Sequence, residues 1–188
     1  MGLRAALLAT LLLALTSAAA PAQACMAVAP LEPADIKYAD VVVIGRIANY
    51  TIVLDQAWRE EMKKRAQEPG ISPELKEFYL TDRGFLTDYA KFDVLVDEVL
   101  VGKAPEALTV TWDNSTFSEP ESMPSGPFLI ALTDPRKGLM LPLRGPSATI
   151  MPNPEPAALT VLQAPCSDAF IFETTSEEAR ASLRILGR

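Results

Sequence analysis

The chain contains no histidine. That removes Ser-His-Asp and Cys-His catalysis, and the usual His-containing zinc sites with them. Its only cysteines are Cys25 and Cys166. They are too few for a four-thiolate zinc site or an iron–sulfur cluster. Nor are they spaced as the CxxC pair of a redox enzyme. Positive charge is scarce, with 17 Lys and Arg against 24 Asp and Glu and a net charge of −7. Phosphate binding needs a basic face, so nucleic acid is not an expected partner. Beyond residue 24 no apolar run approaches the ~20 residues that a membrane-spanning helix requires.

What is present begins with residues 1–24. Arg4 is followed by the apolar run Ala5–Leu15, then by small residues and the A-x-A site Ala22-Gln23-Ala24. Charged start, short apolar centre and small-residue cleavage site together make a secretory signal. Its apolar run is too short for an anchor. Cleavage after Ala24 places Cys25 first, leaving 25–188 as one domain that is exported, periplasmic or extracellular. Acylation of Cys25, as in a lipoprotein, is the alternative at that residue; Gln23 and the lack of a Leu three before the Cys depart from the usual lipoprotein signal.

In an oxidising compartment the default for Cys25 and Cys166 is a disulfide. The chain-entropy model gives about 4–5 kcal/mol for so long a loop, less any strain. Two free thiols are the other possibility.

The rest of the chain reads as mainly β. Residues 26–38 form an extended lead-in with two prolines. The β-branched run 39–47 is a core strand, continuing through 52–54 after a bend or bulge near Gly45. Residues 55–90 are a helical insertion. A helix over 56–68 carries a narrow stripe of Trp58, Met62 and Arg65, and Ser72-Pro73-Glu74 opens a short second helix. Alternation returns at 92–100, with Phe92, Val94 and Val96 on one face and Asp93, Leu95 and Asp97 on the other. Strands follow at 108–112 and 128–132, short ones at 159–162 and 170–172, and an amphipathic helix closes over 176–186 with Ala179, Leu183 and Leu186 on one side. Five or six short strands with edge helices suggest a small barrel or sandwich.

No residue is assigned a catalytic, metal-binding or cofactor role. Asp93, Asp97 and Glu98 are the candidates for a two-carboxylate hydrolase, but neighbouring acids on a strand point to opposite faces. Trp112-Asp113-Asn114 and the loop 113–127 either line a ligand surface or hold a buried Trp at a strand end. Asn49-Tyr50-Thr51 and Asn114-Ser115-Thr116 fit the N-glycosylation acceptor.

Cys25 after a signal, Ala39-Asp40-Val41-Val42-Val43-Ile44-Gly45-Arg46-Ile47, Phe92–Lys103, Gly126-Pro127-Phe128-Leu129-Ile130-Ala131 and a late Cys166 occur in that order. This arrangement resembles secreted bacterial proteins similar to the tissue inhibitors of metalloproteinases, which have a netrin-like fold. The resemblance implies a five-stranded OB-like barrel with flanking helices and no enzymatic activity. It also implies that the amine and carbonyl of Cys25, with Met26 and Ala27 beside it, grip the metal of a protease. The animal inhibitors open on Cys-x-Cys, whereas position 27 here is Ala. The expectation is an exported, non-enzymatic binding or interaction protein whose partner is another protein. A metalloprotease inhibitor acting through Cys25 is the alternative, and a carboxylate hydrolase a further one.

Intact mass tests the N-terminal reading. Protein recovered from the periplasm of an expressing bacterium is expected to start at unmodified Cys25 and to gain the two hydrogens of an opened disulfide on reduction. A diacylglycerol-sized increment would make it a lipoprotein and block the amine on which the metal grip depends.

Overall fold

Val41-Val42-Val43 and Phe128-Leu129-Ile130-Ala131-Leu132 are apolar at every position, where a half-exposed strand would alternate. Both lie in strands covered on two faces. The computed structural model describes residues 30–81, 87–113, 119–139, 141–142, 152–165 and 167–188. The strands are β1 (Val41–Val53), β2 (Tyr89–Val101), β3 (Ala107–Asp113), β4 (Phe128–Thr133), β5 (Leu159–Val161) and β6 (Ile171–Glu173). The helices are α1 (Gln56–Arg65), α2 (Pro73–Leu80) and α3 (Glu177–Ile185), with a 3-10 helix over Pro33–Tyr38.

Five strands close into a mixed barrel. The order β1-β2-β3-β5-β4 returns to β1 through antiparallel pairing of Val41–Gly45 with Leu132–Phe128. Among the described residues only β3 and β5 run parallel. β6 lies outside this ring, pairing antiparallel with the first half of β4 while β5 takes the second half. The mainly β, OB-like architecture with helical parts agrees with the sequence reading.

Inside the barrel Val43, Ile47, Phe92, Val94, Val110 and Ile130 form one core. The opposite faces of β1 and β4 contribute Val42, Leu129 and Ala131 to a second core, shared with Ile36, Phe170 and Ala179. α3 and the 3-10 helix cover that second core, which explains why alternation is missing from β1 and β4. β2, by contrast, alternates as expected: Phe92 and Val94 are buried and Leu95 is 44% exposed.

The helix starts follow their caps. Ser72 Oγ accepts from Leu75 N ahead of α2, Ser176 Oγ accepts from Ala179 N ahead of α3, and Asp55 accepts from Trp58 N ahead of α1. Two local expectations need correction. Part of the extended lead-in, Pro33–Tyr38, is a 3-10 helix, because Ile36, 1% exposed, anchors it in the second core and Pro33 suits a first helical position. On α1 the inward face carries Met62 with Arg59 and Ala66, while Trp58 is 39% exposed. The Arg59 guanidinium is drawn inward by Asp88, at 2.5 and 2.7 Å, and rotates the stripe away from Trp58. The helices α1 and α2 fall within the expected insertion and pack on each other. Among the described residues no helix is long and apolar enough to cross a membrane.

The bend near Gly45 is a shift of register against β2 between Ile44 and Gly45. Here β2 approaches so closely that a Cβ at Gly45 would sit 2.6 Å from the Leu95 carbonyl oxygen. Gly45→Ala is therefore expected to lower unfolding stability by about 1–3 kcal/mol, the usual cost of overpacking. Denaturant titration should show a lower midpoint at an unchanged slope. A midpoint matching the parent would contradict the close approach.

Candidate functional site

β3 ends in Trp112 and Asp113, whose side chains leave the strand on opposite sides. Each lines a different depression, and the two depressions have different chemistry.

On the Trp112 side a groove of about 690 Å³ runs between β6, the first turns of α3 and the loop before β4. Trp112 packs against the barrel core and also forms part of the groove wall. Its indole Nε1 donates to Gln163 Oε1 at 2.9 Å, and Gln163 Nε2 donates to the Ser167 carbonyl at 2.7 Å, so the ring is held in place. Leu31, Met123, Ile171 and Ala181 complete the apolar floor. The rim is acidic: Asp168, Glu177 and Glu178 line it, and all are exposed. Glu177 and Glu178 occupy the first turn of α3, where carboxylates complement the helix dipole. Asp168 has no helix to explain it. Among the described residues no Lys or Arg lines the groove, and the rim acids form no ion pair.

On the other side, Asp113 borders a more apolar cavity of about 370 Å³ with Leu139, Leu141 and Val161. A polar network holds this end of the barrel together. Asn153 Nδ2 donates to Asp113 Oδ2 at 2.5 Å, and the Glu155 amide donates to Asn153 Oδ1 at 2.8 Å. Glu155 in turn accepts from Tyr89 Oη at 2.7 Å and from Lys91 Nζ at 2.7 and 2.8 Å. Those bonds, from Lys91 first, hold its carboxyl below the ordinary value. Burial lifts Asp113 to about 6. Glu119, 9% exposed, is lifted to about 8 by burial and then by the charges of Asp113 and Asp88. Burial and the Glu119 charge also raise Tyr50, whose hydroxyl donates to the Pro120 carbonyl at 2.8 Å and whose ring stacks on Phe92. Among the described residues Asp113 Oδ1 and Glu119 Oε1 are enclosed without a hydrogen-bond partner.

Cys25, Met26, Ala27 and Cys166 lie outside the described residues, as does Asn114. The strand carboxylates are not gathered into one site. Asp93 accepts from Thr109 Oγ1 at 2.6 Å and from Asn49 Nδ2 at 2.7 Å, which hold its carboxyl below the ordinary range. Asp97 pairs with Arg46 at 3.1 Å, and Glu98 is exposed. Asn49, the first of the two acceptor asparagines, takes φ +52 with its amide engaged by Asp93. The sequence reading missed Arg59, Asp88, Glu119 and the acidic rim. The surroundings of Arg59, Asp88 and Glu119 are polar enough to pass for solvated surface, and the rim acids of α3 look like ordinary first-turn residues. Among the described residues no group of three His, Cys, Asp or Glu is arranged to hold a metal ion.

The buried acids fix the sign of a pH dependence. Glu119 titrates near its ordinary 4.5 when unfolded and near 8 when folded. The native state therefore binds more protons across that window, and its stability falls as pH rises. Removing the titration with Glu119→Gln should let the variant gain on the parent between pH 5 and 8, by at most about 1.4 kcal/mol per pH unit for one proton. Urea unfolding at a series of pH values reads this out. Parallel curves for parent and variant would contradict it.

Compared with protein-family models, with curated proteins and with solved structures, the chain finds no match in any of the three.

Proposed function

We propose that the protein is an exported, non-enzymatic binding protein, and that it recognises another protein through the groove between β6, α3 and the end of β3. The observation that carries this reading is the groove itself. An apolar floor that includes a fixed indole lies within a ring of carboxylates, on a surface made by elements far apart in sequence. A concave apolar site with a few placed polar groups is the usual form of a recognition site, and a Trp in its wall is a typical anchor. The resemblance of the strands to the bacterial relatives of metalloproteinase inhibitors points the same way.

The competing hydrolase reading gains little from the titrating acids. Among the described residues the unpartnered oxygens, Asp113 Oδ1 and Glu119 Oε1, are enclosed rather than open to solvent. Their shifted titration comes from burial before any other cause, as expected of acids covered by a barrel rim.

A photo-crosslinking side chain at position 181, on the groove floor, should yield a polypeptide adduct in cells exporting the protein. The same probe at Lys103, on the turn after β2, should yield none. No adduct at 181, or equal adducts at both positions, would contradict the reading.

A further inference from the structure

The partner's chemistry follows from the groove's charge, provided the groove is the recognition surface. We infer that it takes an extended peptide segment of another protein, with an aliphatic side chain flanked by Lys or Arg. Three features point to that occupant. First, among the described residues the rim is of one sign: Asp168, Glu177 and Glu178 surround the floor and no cation lines it. Arg180, one turn into α3, is turned instead to the Thr175 carbonyl, to which its Nη1 donates at 2.6 Å. Second, the floor between those acids is apolar, formed by Leu31, Met123, Ile171 and Ala181 against Trp112. A free cation would leave this surface bare, and an uncharged apolar ligand would leave the rim unmatched. Third, β6 ends the strand order and, among the described residues, has a strand neighbour, β4, on one side only. An extended segment lying in the groove runs beside a sheet edge, the geometry by which peptides extend sheets. The chain's net charge of −7 adds a long-range field that draws in a basic segment and rejects an acidic one.

Helix stability alone accounts for Glu177 and Glu178, as first-turn carboxylates, but not for Asp168, which precedes β6 on a loop. Asp168 is thus the residue whose replacement separates recognition from helix capping.

The test is a selection of short random peptides displayed on phage against the whole exported chain. Selected peptides are then synthesised and titrated by fluorescence polarisation. The inference expects enrichment of peptides with Lys or Arg next to Leu, Ile or Val. It expects binding to weaken as salt rises, to fall about tenfold or more (~1.4 kcal/mol) in Asp168→Lys, and to be lost in Ala181→Arg, which fills the floor. Circular dichroism and melting curves matching the parent confirm that both variants fold. If Ala181→Arg does not fold, Ile171→Lys on the facing strand serves in its place. Peptides that depend on position 181 but carry no basic residues, and are indifferent to Asp168→Lys, would overturn the inference and leave the groove as a binding surface. No enrichment, or peptides indifferent to both variants, would overturn the inference and the proposed function together.

Discussion

Residues 42–45 of β1 are paired on both edges, to β2 on one side and to β4 on the other. That double pairing closes the barrel, and the rest of the structure depends on it. It places Val43 and Ile47 inside and Val42 outside, so that one strand serves two cores. β4 does the same from the other side of the seam, with Ile130 in and Leu129 out. Because β4 is buried on its outer face too, something must cover it, and the 3-10 helix and α3 are that cover. The groove is the space left where this outer layer meets the end of β3. Its position thus follows from the closure at β1 rather than from a loop of independent shape.

Much of this was legible in the chain. The four longer strands announced themselves through β-branched runs bounded by turn residues, and the bulge at Gly45 through a glycine in the middle of one of them. Each of the three helices shows a cap residue where it begins. The parallel pairing of β3 with β5 was not legible, since β5 is only three residues long and its register is set by the barrel rather than by a hairpin turn. Arg59 was hidden for a different reason. A charged residue on a charged helix is normally solvated, and only its bidentate contact with Asp88 reveals that it faces inward. Glu119 sits in a polar, proline-rich loop, and its burial follows from the packing of that loop against Tyr50 and the barrel end, which no local pattern encodes. The groove was half visible. Trp112 stood out as either a ligand-surface residue or a packed strand end, and it is both packed against the barrel and part of the groove wall. Its partners Leu31, Met123, Ile171 and Ala181 come from four other places in the chain, so only tertiary structure assembles them.

The two sides of the β3 terminus divide the chemistry. Toward Asp113 the polar groups face one another: Lys91, Tyr89, Glu155 and Asn153 form a connected network, and the acid at its end is kept partly protonated by burial. Such a network fixes the loop 152–158 to β2 and makes the barrel end sensitive to pH, without presenting its unpaired oxygens to solvent. Toward Trp112 the arrangement is reversed. The apolar groups form the floor and the carboxylates stand exposed at the rim, with no ion pair among the described residues. A buried network serves cohesion, whereas an open floor with charges of one sign around it suits recognition. This contrast is the physical basis for assigning binding to the second face.

The central claim is that the groove is a fixed surface, built on the same closed barrel that β1 holds together. Amide hydrogen exchange followed residue by residue tests it most directly. The account predicts that the amides of β6 and of α3 around Ala179 and Ser182, both fully buried, exchange only with the global opening that releases Val42, Val43 and Leu129. Helix α2, which buries none of its residues, should exchange earlier by local opening. If β6 and α3 lose protection while β1 and β4 keep theirs, the groove is not a preformed surface and the account is contradicted.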